Sequence, residues 1–146
     1  MEPNQTLERT TARAPRRALC MGALQPVLRM VECELGEKLH VLDMAGVVGL
    51  SQFHFCREFR RVMGVSPYAY VTRRRLARAA LLLAGSRLSI AEIGKSVGFK
   101  SHAHFTHAFV QSEKKTPREY RSIHAVGRET PGRSASRARF QPGASA

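Results

Sequence analysis

The stretch Ser89-Ile90-Ala91-Glu92-Ile93-Gly94-Lys95-Ser96-Val97-Gly98-Phe99-Lys100-Ser101-His102-Ala103-His104-Phe105 decides the fold, because the chain carries its pattern twice. Val41-Leu42-Asp43-Met44-Ala45, followed by Gly49-Leu50-Ser51, lines up with Ile90-Ala91-Glu92-Ile93-Gly94, followed by Gly98-Phe99-Lys100-Ser101. The offset is 49 residues and becomes 50 across one extra turn residue. Beyond the turn, His54-Phe55 matches His104-Phe105, Phe59 matches Phe109, and Ser66-Pro67-Tyr68-Ala69-Tyr70 matches Thr116-Pro117-Arg118-Glu119-Tyr120. The spacing has a mechanical reading. A small residue (Ala45, Gly94) lets two helices cross closely. A glycine four positions later (Gly49, Gly98) ends the first helix at positive φ, and a Phe in the next helix (Phe55, Phe105) closes the core. Two matched copies describe two helix-turn-helix units.

Outward from the repeat, apolar residues recur at helical spacing and no strand alternation is found, which predicts an all-α fold of seven helices. The first is expected over about 23–35, with Leu24, Leu28, Val31 and Leu35 inward and Gly36 as its C′ residue. The next two span about 41–48 and 51–63, the first helix-turn-helix covering about 41–63. Ser66-Pro67 starts a long linker helix to about 84, with Val71, Leu76, Ala79, Ala80 and Leu83 inward and Gly85 at its end. Ser89 and Glu92 form a capping-box pattern for a fifth helix, about 90–97. A sixth covers about 101–112, so the second helix-turn-helix runs over about 90–112. Thr116-Pro117-Arg118-Glu119 caps a short seventh that buries Tyr120. Residues 1–21 and 123–146, rich in Arg, Ser, Thr, Ala, Pro and Gly with few apolar groups, are expected to be disordered, which places the folded part at 22–122.

The second copy, from Ser89 through Phe109 to Tyr120-Arg121, resembles the signature of the AraC/XylS family of bacterial transcription regulators; the first copy matches from Leu50 to Pro67. The resemblance implies a double helix-turn-helix DNA-binding domain with homeodomain-like units, whose third and sixth helices enter successive major grooves on one face of DNA. Independently, a helix over 67–84 would be about 27 Å long at about 1.5 Å per residue. That length suits adjacent grooves about 34 Å apart, so a monomer can span one site.

The helix over 51–63 buries Phe55, Phe59, Val62 and Met63 and presents Gln52, Phe53, Cys56, Arg57 and Arg60 outward. Arg57 can fork onto guanine, Gln52 can pair with adenine, and Phe53 or Cys56 suits a thymine methyl. The bland alternatives are ordinary packing for Phe53 and a phosphate contact for Arg57. In the sixth helix Phe105 and Phe109 point inward, and the resemblance makes His102, Ala103, Thr106 and His107 the base-reading set. Phosphate contacts are expected from Ser51, Arg60, Arg61, Lys95, Lys100, Ser101, Lys114, Lys115 and Arg121. The run Arg73, Arg74, Arg75 and Arg78 reads either as a phosphate clamp or as a solvated face. Four positions depart from the family pattern: His107 replaces an arginine, Glu113-Lys114 an aromatic and a glycine, and Gly94 an alanine. They predict a second unit less stable and less discriminating than the first, and leave a nonspecific or partly degenerate basic DNA-binding protein as the alternative.

Composition agrees with this reading. The 146 residues hold 24 Lys and Arg against 11 Asp and Glu, a formal charge of +13. Of that excess, +9 lies in residues 36–122, +3 beyond and +1 before. Such a charge seeks a polyanion, and double-stranded DNA is the expected partner. The resemblance adds RNA polymerase, with activation as the commoner sign. No apolar run reaches the length of a membrane span and no signal peptide is evident, so a cytoplasmic, nucleoid-associated protein without membrane contact is expected. Cys20, Cys33 and Cys56 lack ligand spacing and read as free thiols, and His102, His104 and His107 lack a partnering Cys or carboxylate. Neither metal, cofactor nor enzymatic activity is expected. With about twenty residues ahead of the first helix, no small-molecule effector domain is expected either.

Overall fold

Capping residues set the helix boundaries. The computed structural model describes residues 19–125, all of whose regular elements are helices: α1 Met21–Cys33, α2 Val41–Val47, α3 Gln52–Met63, α4 Pro67–Gly85, α5 Ile90–Ser96, α6 His102–Glu113 and α7 Pro117–His124. The expectations for the two termini lie outside the described residues, apart from their inner edges, where α1 begins at Met21 and α7 runs to His124. Ser51, Ser66, Ser101 and Thr116 each accept a hydrogen bond from the backbone N–H three residues on, starting α3, α4, α6 and α7. Pro67 and Pro117 follow at N1, where a missing N–H is harmless. Ser89 and Glu92 form the expected capping box on α5, and Thr116 and Glu119 form a second on α7. Those caps hold the Glu92 carboxyl low through Ser89 and the Glu119 carboxyl low through Thr116.

Two endings differ from the sequence reading. α1 stops at Cys33, with Glu34 as its C-cap, so Gly36 lies outside the helix and has no positive φ. What Gly36 needs is closeness: a Cβ there would stand 2.7 Å from the Ser96 carbonyl oxygen of α5. α4 includes Gly85 and ends through Ser86, whose hydroxyl donates to the Leu82 carbonyl oxygen at 2.7 Å.

The interior consists of two separate apolar clusters. In the first, Leu24, Val27 and Val31 of α1 meet Met44, Ala45, Phe55, Phe59 and Val71, with Val62, Met63 and Tyr70 packed against them. In the second, Leu76, Ala79 and Leu83 of α4 meet Ile93, Val97, Phe99, Phe105 and Phe109, with Ala80 and Tyr120 alongside. Phe55, Phe59, Phe105 and Phe109 are fully buried, each contributing about 1.5–3 kcal/mol by removal from water. Tyr120 is half-buried rather than buried, its ring edge-on to Phe109 at 5.4 Å. The division between the clusters falls within α4, between Val71 and Leu76.

Candidate nucleic-acid interface

Each helix-turn-helix is held by the contact its spacing requires. Ala45 and Gly94 are buried at the crossings, and Gly49 and Gly98 sit at φ +67° and +87° in the turns. A Cβ on Gly94 would lie 3.0 Å from the Phe105 ring, so this glycine lets the ring pack tightly against α5. The lost helix propensity, about 1 kcal/mol, accompanies that close approach.

With Phe55 and Phe59 turned inward, α3 exposes Gln52, Phe53, Arg57 and Arg60, while Cys56 is half-buried. Phe53 is 80% exposed, so the packing alternative does not describe it. Arg57 has only a loose ion pair with Glu58, at 3.8 Å, and half its side chain faces solvent. Arg61 is placed elsewhere: its Nε donates to Glu58 at 3.0 Å and its Nη2 to the Leu19 carbonyl oxygen at 2.7 Å. The Arg61 hydrogen bond holds the Glu58 carboxyl below its ordinary range. Arg61 therefore ties the start of the described chain to α3 while about half of its side chain stays exposed.

On α6, His102, Ala103 and His107 are exposed. Thr106 is half-buried, and its Oγ1 is shut off from solvent with no hydrogen-bond partner, so the hydroxyl does not project from that face. Ser51 and Ser101 spend their hydroxyl oxygens on the helix N-termini, accepting from His54 N and His104 N. Lys114 and Lys115 are exposed, with Lys114 Nζ donating to the Gln111 carbonyl oxygen at 2.8 Å. Arg121 Nη2 donates to the Leu88 carbonyl oxygen at 2.6 Å.

The expected phosphate residues Lys95 and Lys100 line one open cleft, of about 630 Å³, together with His102 and Lys38. Lys38 escaped the sequence reading, although the repeat carries a signal for it: at the same offset of 49 stands Arg87, a cation three residues ahead of each unit's first helix. The arginine run on α4 divides by role. Arg74 pairs with Glu32 of α1 (Nη2 to Oε2, 2.9 Å), Arg75 is drawn inward, and Arg73 and Arg78 are exposed. Among the described residues no group of three or more His, Cys, Asp or Glu comes together as a metal site, and none of the three cysteines is in a disulfide. No helix among them is long and apolar enough to cross a membrane.

Residues 44–123 match the family model described as a helix-turn-helix domain. The crystal structure of an AraC-type transcriptional regulator from Chromobacterium violaceum superposes with a TM-score of 0.67 at 32% identity, covering 76% of this chain and 96% of that one. The chain belongs to the AraC/XylS family. The regulatory protein PocR of Salmonella typhimurium is 32% identical over 119 residues, 82% of this chain. The match spans 39% of PocR, so the chain corresponds to about two fifths of that relative. The DNA-binding domain of AdpA, solved in complex with a target DNA, superposes with a TM-score of 0.65 at 27% identity, covering 69% of this chain and 91% of that domain. Members of the family are transcription regulators with DNA-binding helix-turn-helix domains.

Proposed function

We propose that this chain is a sequence-specific regulator of transcription that reads double-stranded DNA as a monomer. In this reading α3 and α6 enter adjacent major grooves of one site. The observation that carries it is the duplicated reading helix: in each unit a phenylalanine pair anchors one face to the core, while the opposite face carries exposed polar groups. Gln52, Phe53, Cys56 and Arg57 read bases through α3, and His102, Ala103 and His107 through α6, with Thr106 offering no outward hydroxyl. Arg60, Arg61, Ser51, Ser101, Lys95, Lys100, Lys114, Lys115 and Arg121 lie against phosphates, joined by Lys38, whose cleft already holds two of them. Activation, the commoner sign among similar regulators, with RNA polymerase as the second partner and the cytoplasm as the place of work, completes this reading.

The test is binding at about 150 mM salt to a duplex selected from random DNA, compared with a scrambled duplex of the same composition. The selected duplex binds at least about a hundredfold more tightly, with a steep fall in affinity as salt rises. Arg57→Ala loses more of that preference than His107→Ala, because a guanidinium forks onto guanine with two parallel bonds and an imidazole has no such fork. Equal affinity for both duplexes would favour the nonspecific, partly degenerate binder, for which His107 and the shielded Thr106 hydroxyl are the observations.

A further inference from the structure

The two apolar clusters do not merge, and this leaves their relative orientation to other contacts. The first cluster reaches Val71 on α4 and the second begins at Leu76. Between them stands Arg75. Its Nε donates to the Leu35 carbonyl oxygen at 2.9 Å and its Nη2 to the Glu37 carbonyl oxygen at 2.7 Å. Both acceptors lie in the loop that leaves α1, in the first unit. The same guanidinium also presses on the turn of the second unit, where a Cβ on Gly98 would stand 2.8 Å from Arg75 Cζ and Nη2 and 2.6 Å from the Leu35 oxygen. One residue away, Gly36 leaves no room for a methyl against the Ser96 carbonyl oxygen. The loop over 35–37, α4 and the turn after α5 thus meet on one side chain. Partial burial pushes the Arg75 guanidinium down from its ordinary value, as expected of a cation drawn off the solvated face of α4.

A planar guanidinium fixes the direction of each hydrogen bond it makes, so it can hold an angle as well as a distance. Each unit keeps its own core, so releasing this contact need not unfold either one. Glu37 and Arg75 both line the open cleft of about 630 Å³, where water can replace the donor lost from the Glu37 carbonyl.

We propose that Arg75 is a positioning residue that pins the second helix-turn-helix against the first and thereby sets the half-site spacing the protein accepts. The spacing part rests on the reading of α3 and α6 as two DNA readers; the pin itself does not. The first experiment therefore needs no DNA. The three native cysteines are replaced by serine, and Phe53→Cys and Ala103→Cys place spin labels on exposed positions of α3 and α6 in the full chain. Pulsed EPR is expected to give one narrow distance distribution with Arg75. With Arg75→Met the distribution is expected to be at least about twice as broad while helical circular dichroism stays unchanged, because motion between packed units is limited only by their contacts. Arg75→Lys, which keeps the charge but loses the fork, falls between. If Arg75→Met proves unfolded, Arg75→Gln carries the comparison. An unchanged width in a folded Met or Gln variant overturns the pin.

The second experiment uses the selected duplex and versions with one base pair added or removed between its halves. The Arg75 chain loses about tenfold or more in affinity on the altered duplexes, and the folded Arg75→Met or Arg75→Gln variant less than about threefold, the difference being the released strain. Equal losses in both overturn the spacing role. A parent chain with no sequence preference at all contradicts the proposed function instead, and the EPR widths alone then decide the pin.

Discussion

The two helix-turn-helix units share one design and meet its demands with different residues. At the crossing the first unit uses Ala45 and the second Gly94, where a Cβ would stand 3.0 Å from the Phe105 ring. At the turn both use glycine for a positive φ, yet a Cβ on Gly49 would meet nothing within 4 Å, whereas one on Gly98 would strike Leu35 and Arg75. At the end of the reading helix Gly64 (φ +75°) closes α3, and Lys114 adopts the same left-handed backbone (φ 58°) at the end of α6. At the start of the unit His40 provides no side-chain cap for α2, while Ser89 and Glu92 cap α5 from both directions. The first unit satisfies its backbone with glycines in open space. The second is crowded, strained at one residue and better capped. A repeat in sequence is therefore a repeat of topology; its local energetics are settled separately in each copy.

The glycine pair offers the sharpest break of this comparison. Gly49→Asn and Gly98→Asn introduce the same side chain at positive φ, which asparagine tolerates better than most residues. The expected loss of stability is below about 1 kcal/mol at Gly49 and about 1–3 kcal/mol at Gly98, where the added carbon overpacks against backbone. Chemical denaturation of the two variants measures the gap, and equal losses would show that φ alone matters at both turns. A smaller effect of opposite sign is expected at the helix ends. Lys114→Gly removes the left-handed penalty of a residue with a Cβ and stabilises the chain by about 1 kcal/mol, read as a raised Tm. No gain there would mean that the Lys114 Nζ contact with Gln111 offsets the strain.

Much of this architecture is legible in the amino-acid sequence. The repeat, the seven helices, the inward phenylalanines and the Ser/Thr-Pro starts all depend on local periodicity and capping, which one sequence records. Helix ends that rely on tertiary contacts are not legible there: Gly36 reads as a C′ glycine, but its requirement comes from Ser96, sixty residues away in the chain. The arginine run shows the same limit. Arg73, Arg74, Arg75 and Arg78 look alike in sequence, and only the fold separates the ion pair to Glu32 from the inward turn of Arg75. The contact of Arg61 with the Leu19 carbonyl is equally absent from the sequence pattern, because Leu19 belongs to a stretch without helical periodicity. Against the lower stability expected of the second unit from Gly94 and Lys114 stands the Ser89 cap on α5, a contribution of about 1 kcal/mol that His40 does not make on α2.

The central claim is that both units engage one DNA site at once. Hydroxyl-radical footprinting of the selected duplex at about 150 mM salt tests it most directly. Two protected patches on the same face of the duplex, about 10 base pairs apart, are the expected result. A single protected patch, or protection without a helical phase, would contradict it.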